Sequence, residues 1–429
     1  MPDRAPHASS AAPVAVVDAA APPPPPKGPP PSLNVILLSI DSLRADMPWA
    51  GYPRPIAPRL TELEARAVSY THAYSMSSYT STSLGGLLGG RLASEMRRDG
   101  YFFNTYPGDN VMFPEVLRAA GVHTMSAHAH GYFKNAGFNQ GFDEYELVPN
   151  LKWNSTTDEN VSSPQLEGIA ERMLSEPGND TRRFFAWFHF LDPHDQYLPH
   201  EGIGPYGTTH RDLYDAEVTF TDGYIGKLVD FIGKQPWAAR TAIIVTADHG
   251  EAFGEHGLTR HGFEVYEILV HVPLFFLVPG APARRIDAPR SAVDLAPTIM
   301  ALLGVDAKLD GGDPGFEGKS IVPELYGAEA EPRDVVVDLP ATSDNDRRRA
   351  LIHGRTKLIA FGQDTAFQVF DLDADPGELH PITRGDLFSE MAARYRAYEK
   401  TVKDLPAYAC GKDCLNGAYA KKKSDAGTE

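Results

Sequence analysis

The chain has 429 residues, 42% hydrophobic and 23% charged, the makeup of a globular protein with room for one large α/β domain and a smaller appendage. Its formal net charge of −17 argues against nucleic acid or an anionic membrane surface as a partner. The same charge requires that an anionic substrate be drawn in by local positive charge, such as a metal ion.

In chain order, residues 1–33 are rich in Ala and Pro, with Pro22 to Pro26 and Pro29 to Pro31 as uninterrupted runs. This composition predicts a semi-rigid, polyproline-like linker. Asp18 breaks its one apolar run, which makes it a poor signal peptide. The linker is compatible with a membrane tether upstream of it. No run reaches the ~18 apolar residues of a membrane-spanning helix.

Asn34 to Asp41 is an apolar run that stops on a carboxylate, and the pattern recurs. Val122 to Ala127 leads to His128 and His130, Phe184 to Phe190 leads to Asp192-Pro193-His194, and Thr241 to Thr246 leads to Asp248-His249-Gly250. Runs of this kind suit strands buried on both faces. Between them, Ile56 to Val68, Phe113 to Ala120, Tyr214 to Ile232 and Asp294 to Leu303 have helical spacing, and Val272 to Val278 adds a strand. The alternation predicts an α/β fold with a largely parallel central sheet flanked by helices over residues 34–310. Past Gly311, short strands at Val335–Asp338, Ala350–Ile352, Lys357–Ala360 and Phe367–Leu372 precede a helix at Leu387–Val402. They predict a small antiparallel α+β subdomain over 311–408. In the tail, 409–429, Cys410 and Cys414 make a poor zinc site, with no histidine nearby and no second pair. They read as a local disulfide, which points to an extracytoplasmic compartment, or as two unpaired thiols.

In open α/β sheets ligands sit beyond the carboxyl ends of the strands. Asp41, Asp248 and His249 stand at two such ends and would share one divalent cation if the strands are neighbours. Taken singly, Asp-His-Gly is also a turn and Asp41 a helix cap. Ser77 to Ser83 places hydroxyls at the start of a helix of small residues, where backbone N–H groups favour an anion. A hydroxyl beside a metal there is an activated nucleophile; an ordinary N-cap is the plainer reading.

The order of these segments resembles the sulfatase family of the alkaline-phosphatase superfamily. The likeness runs from Asn34–Asp46 through Ala57–Leu60, the hydroxyl segment ending at Arg91, Gly141–Asp143 and His189–His194. It continues through Ala247–Gly257, Arg260–Gly262, Val293–Thr298 and Gly315–Ser320 to Val369–Glu378. The resemblance implies Asp41, Asp248 and His249 as metal ligands. It implies Thr80, twelve residues before the Arg91 position counted inclusively, as nucleophile and further metal contact. His194 falls where the family holds the transferred anion or its leaving oxygen, and His261 where a cationic side chain clamps or protonates the substrate. His128 and His130 fall near a basic pair that supports the nucleophile, His130 as a catalytic group and His128 as a substrate contact.

Two departures shape the expected chemistry. The Cys-x-Pro-x-Arg context of formylglycine sulfatases is replaced by Thr80 to Leu84, so no formylglycine is expected. Ser42 stands where a second acid would follow Asp41. Asp192 is followed four places on by Gln196 rather than His, so one metal is expected rather than two. Ca, Mg, Mn and Zn all suit the ligand types. The expected activity is hydrolysis of a phosphoester, phosphodiester or phosphonate before sulfate, on an anionic small molecule, glycan or lipid. The alternatives are an envelope transferase of the phosphoglycol or phosphoethanolamine type, and an anion-binding member without turnover.

Overall fold

A computed structural model describes residues 28–29, 33–152, 160–204, 206–306 and 315–408. Most of the Pro-rich linker, Cys410, Cys414 and the tail lie outside the described residues. The strands are β1 (Asn34–Ile40), β2 (Val68–Tyr74), β3 (His123–His128), β4 (Glu144–Leu147), β5 (Phe184–Phe190), β6 (Thr241–Ala247), β7 (Ala252–Phe253) and β8 (Thr259–Arg260). After them come β9 (His271–Leu277), β10 (Arg284–Ile286), β11 (Arg290–Ser291), β12 (Asp334–Leu339), β13 (Arg348–His353), β14 (Thr356–Phe361) and β15 (Ala366–Asp371).

The central sheet has the order β10-β2-β9-β6-β1-β5-β3-β4, with β11 also on β2. Only β9 runs against its neighbours, so the sheet is largely parallel. The apolar runs explain why. In β1, Val35 and Leu37 point into one core, and Ile36, Leu38 and Ile40 into another on the opposite face. Helices Thr80–Gly89, Phe113–Ala119 and Leu295–Leu302 cover the first face. Helices Pro58–Glu64, Ser163–Leu174 and His210–Ile232 cover the second.

The helix expected over Ile56–Val68 is shorter, because Pro58 opens it and the chain turns after Glu64 to enter β2. That strand, with Ser69, Thr71 and His72 among its residues, has too little apolar pattern to be recognised in the sequence.

Strands β12 to β15 form a four-stranded antiparallel sheet. One face packs on Met391, Ala392 and Tyr395 of helix Asp386–Glu399, and the other on Val265, Leu269 and Val270 of the main domain. Arg349, fully buried, ties the two parts together. Its guanidinium reaches Asp338 (2.9 Å), Glu399 (2.5 Å) and Asp404 (2.8 Å), and donates to the Ser94 hydroxyl at 3.0 Å. Removing one partner of a buried ion pair strands the other. Arg349→Ala is expected to lower unfolding stability by about 3–5 kcal/mol, read as a fall in the urea midpoint; a change under about 1 kcal/mol would place the anchoring elsewhere.

Candidate active site

Because β1, β5 and β6 are parallel and adjacent, their carboxyl ends share one edge. Ile40 pairs with both Phe190 and Ala247, so Asp41 emerges beside Asp248. Asp41, Asp248 and His249 are all buried, and one ligand atom from each lies within 4.8 Å of the others. Gly250 permits this packing: a Cβ there would lie 2.1 Å from the Ile268 carbonyl oxygen.

The two carboxylates differ. Asp248 Oδ1 accepts from the backbone N–H groups of Ser42 (3.3 Å) and His249 (3.0 Å), while its buried Oδ2 has no hydrogen-bond partner. Burial, with the Asp41 charge, pushes the Asp248 carboxyl well above the ordinary range. Burial alone would raise Asp41 too, but His194, His189 and His249 hold it well below. Ser42, in a left-handed conformation at φ 57°, turns its N–H toward Asp248 and donates its hydroxyl to Asp41 Oδ1 at 2.9 Å. It bridges the pair instead of adding a third charge. Two carboxylates, an imidazole and an orphaned carboxylate oxygen suit a divalent cation.

Thr80 is the first residue of its helix, and its Oγ1 lies 3.0 Å from His249 Nε2 and 3.5 Å from Asp41 Oδ2. The next three hydroxyls are turned to carbonyls: Ser81 to Phe102 (2.9 Å), Thr82 to Tyr79 (3.0 Å) and Ser83 to Asp248 (2.6 Å). Thr80 alone of these four faces the ligand cluster. His249 Nδ1 is 2.9 Å from the Gly250 carbonyl, which can only accept. The proton therefore sits on Nδ1, and Nε2 offers its lone pair to a cation or to the Thr80 hydroxyl.

Above them opens a cavity of about 460 Å³ lined by Asp41, Thr80, His130, His194 and His261. The His194 and His261 ring centroids are 5.2 Å apart, and those of His130 and His194 6.4 Å. Each histidine has a different partner. His194 Nδ1 donates to the Asp195 carbonyl at 2.6 Å. His261 Nδ1 faces the buried Glu251 carboxylate at 3.2 Å, which raises the imidazole above its ordinary value against the opposing effect of burial. His130 Nδ1 accepts from the Tyr132 N–H at 3.0 Å, and burial, reinforced by the His194 charge, lowers it to about 3. His130 is a neutral donor through Nε2, whereas His261 can present a cation.

His128, expected among the substrate contacts, lies elsewhere. It is fully buried, hydrogen-bonded to Ser126 Oγ at 2.7 Å and stacked on Phe133 at 4.3 Å, and it does not line the cavity. Burial keeps it neutral.

Two residues that position the candidate site escaped the sequence reading. Glu251, which orients His261, also accepts from the Tyr197 hydroxyl at 3.0 Å. His189, one strand over from Asp41, has Nε2 3.2 Å from Asp41 Oδ2 and Nδ1 2.8 Å from Ser39 Oγ. The Trp187 N–H, which can only donate, reaches Ser39 Oγ at 2.8 Å. The Ser39 proton then goes to His189 Nδ1, and His189 donates from Nε2 to Asp41. The chain Trp187→Ser39→His189→Asp41 thus fixes the second carboxylate oxygen of a candidate metal ligand. A lone polar residue between Phe188 and Phe190 in a buried strand was the available signal.

The family model described as Sulfatase matches residues 33–305. The chain is 28% identical over 199 residues to the uncharacterized sulfatase YidJ of Escherichia coli, covering 45% of this chain and 38% of that one. It is 30% identical over 226 residues to the choline-sulfatase of Rhizobium meliloti, covering 49% and 43%. The chain therefore spans less than half the length of these relatives. Among solved structures, a 2-O GAG sulfatase superposes with TM-score 0.69 at 18% identity, covering 90% of this chain and 96% of that one. A phosphonate monoester hydrolase of Agrobacterium radiobacter superposes with TM-score 0.70 at 17% identity, covering 86% and 95%. At such identities the likeness is one of fold.

Titration calorimetry is expected to find a divalent cation bound at Asp41, Asp248 and His249, with binding lost in Asp248→Ala. Ser39→Ala is expected to weaken it about 10- to 100-fold by releasing His189. Unchanged affinity in Ser39→Ala would show that the hydrogen-bonded chain does not orient Asp41.

Proposed function

This chain belongs to the sulfatase family, and from that premise we propose that it is a metal-dependent hydrolase of phosphoric, phosphonic or sulfuric esters with Thr80 as nucleophile. The observation that carries the reading is the position of the Thr80 hydroxyl, 3.0 Å from His249 Nε2 and beside the two carboxylates. A curated relative, a choline-sulfatase, and a structural neighbour, a phosphonate monoester hydrolase, support the ester class. The sequence has no cysteine before Cys410, so the nucleophile segment cannot give a cysteine-derived formylglycine, and phosphoryl or phosphonyl transfer is favoured over sulfate.

A divalent cation held by Asp41, Asp248 and His249 would lower the pKa of a neighbouring hydroxyl and neutralise the oxygens of the transferred group. The Thr80 hydroxyl releases its proton to solvent in the cavity as its oxygen attacks phosphorus, the bond to the alcohol breaks, and the leaving oxygen takes a proton from the His261 imidazolium. His130 and His194 hold the non-bridging oxygens. Water, deprotonated by the now neutral His261, then attacks phosphorus, the bond to Thr80 breaks, and the Thr80 oxygen regains a proton from solvent, which restores the enzyme. Glu251 holds His261 in the orientation both steps require.

The test is turnover of p-nitrophenyl esters, comparing phosphate diester, phosphate monoester, phosphonate monoester and sulfate with added metal. Thr80→Ala is expected to lower kcat by about 10⁴-fold or more on the preferred ester. Retained activity in that variant would sink the nucleophile assignment. Turnover only with an added alcohol acceptor would favour the transferase reading instead. In the first turnover, before the phosphoryl-threonine is hydrolysed, His261→Gln is expected to slow release of an alkyl alcohol about 10²–10³-fold and release of p-nitrophenolate, which needs no proton, little. An equal loss on both would remove His261 from the role of acid.

A further inference from the structure

One wall of the cavity is aromatic, built from Tyr79, Phe102, Phe103 and Tyr132. Leu191, His194 and Asp195 reach the cavity on a different kind of support, the segment 191–209 that joins β5 to the helix His210–Ile232. Among its described residues this segment holds no helix or strand. So long an irregular stretch needs anchors of its own to hold a reacting group still. Its first anchor is Asp192, which accepts from the backbone N–H groups of Ser162 (2.7 Å) and Ser163 (2.8 Å). That fixes the end of the segment carrying His194.

The second anchor lies on the helix, which buries Asp215, Glu217 and Asp222. Asp215 pairs with Arg54 and Arg211, and Asp222 accepts from the N–H groups of Arg59 and Leu60. Glu217, only 2% exposed, faces the segment instead. Its Oε1 accepts from the Leu198 N–H at 2.5 Å, and its Oε2 lies 2.6 Å from His200 Nε2. The His200 ring stacks at 3.7 Å on Phe220, one turn along the same helix. Burying a carboxyl is costly unless its oxygens are met, and both oxygens here are met by one short stretch of chain.

Between the two anchors stands Tyr197. Its ring packs edge-on against Tyr214 (5.8 Å) and Phe253 (6.0 Å), and its hydroxyl donates to Glu251 Oε2 at 3.0 Å. Glu251 Oε1 in turn faces His261 Nδ1 at 3.2 Å. The residue after Tyr197 is the one whose N–H Glu217 holds, so the clamp on the helix decides whether the hydroxyl reaches Glu251.

Resting on the hydrolase reading above, we propose that Glu217 is a positioning residue for the reaction. By clamping Leu198 and His200 it sets Tyr197 against Glu251, and through Glu251 it sets the His261 ring against the leaving oxygen. Glu217 does not line the cavity and acts only through this chain.

The test is the first turnover of an alkyl and a p-nitrophenyl ester, both of the ester type the metal-loaded full chain cleaves fastest. Alongside it, the ring resonances of His261 are read by NMR in protein carrying isotope-labelled histidine and identified by their absence in His261→Gln. Glu217→Ala is expected to slow release of the alkyl alcohol at least about tenfold, because a displacement of about 1 Å at the acid is costly. Release of p-nitrophenolate, which needs no proton, is expected to slow by less than about threefold. A general loosening of the fold would slow both alike. Tyr197→Phe, which removes one hydroxyl and keeps the packing, is expected to give the same pattern. The double variant is expected to lose no more than about twofold beyond the worse single variant, since both act along one chain. Glu217→Gln keeps an acceptor for the Leu198 N–H and is expected to recover the alkyl rate to within about threefold of wild type. The His261 resonances are expected to shift in Glu217→Ala and Tyr197→Phe and to return in Glu217→Gln. Equal slowing of both esters, additive losses in the double variant, no recovery in Glu217→Gln, or unmoved His261 resonances would each overturn the proposal. Shifted resonances in a protein that cleaves no ester would sink the hydrolase reading and leave the chain from Glu217 to His261 standing; cleavage with unmoved resonances would do the opposite.

Discussion

Two carboxylates, Asp41 and Asp248, are delivered to one dry place by adjacent parallel strands, and most of the site follows from that juxtaposition. Like charges about 4 Å apart at an effective dielectric constant of about 20 repel by roughly 4 kcal/mol. The chain already carries −17, so no general positive field offsets this. The relief is local. His189, His194 and His249 surround Asp41 and keep it ionised, while Asp248 rises. The backbone turn at Ser42 donates to Asp248 and its hydroxyl to Asp41, supplying hydrogen bonds where another acid would have added repulsion. What remains is an orphaned Asp248 oxygen, a group whose burial is costly unless something positive meets it.

Chemically identical side chains then acquire distinct duties from what each ring touches on its far side. A carbonyl behind His249 leaves its Nε2 as a lone pair, and a backbone N–H behind His130 leaves that ring neutral with a proton to donate. A carboxylate behind His261 favours the imidazolium. Separation of acid and base roles by environment is how one residue type can serve opposite steps of a reaction. The outer partners, namely Gly250, Tyr132 and Glu251, therefore contribute as much to the chemistry as the rings themselves.

Much of this was legible in the sequence, for a definite reason. Strands buried on both faces read as apolar runs, and the polar residue that ends each run falls on the shared edge whichever way the strands are ordered. Asp41, Asp248 and His249 follow from that rule, whereas the segment carrying Thr80 was legible from its hydroxyls ahead of a helix of small residues. Three things did not. His189 lies inside a run, and only the register that sets it against Ser39 reveals its neighbour. His128 and His130 both read as site residues, one as a substrate contact and one as a catalytic group, but the first is still strand and packs into the core against Phe133, while the second lies beyond the strand end and opens to the cavity. The aromatic wall is drawn from residues 79, 102, 103 and 132, whose approach depends on packing with no local pattern to announce it.

The C-terminal sheet shows how distant parts of the fold enter the same site. Its loop 342–345 forms part of the cavity lining, and the Ser343 N–H donates to the Gly100 carbonyl at 2.9 Å, next to the aromatic wall. That loop springs from the ends of β12 and β13, where Asp338 and Arg349 are cross-strand partners. The buried Arg349 network that anchors the sheet therefore also sets where Asp344 and the far side of the cavity stand. Stability and the shape of the cavity are coupled here by geometry: a change that loosened the ion cluster would reach the 342–345 side of the cavity without touching Thr80, Asp41 or Asp248. With Asp41, Asp248 and His249 drawn from the sheet edge and a lining loop drawn from the appended sheet, the far side of the cavity can vary while the carboxylate pair holds still.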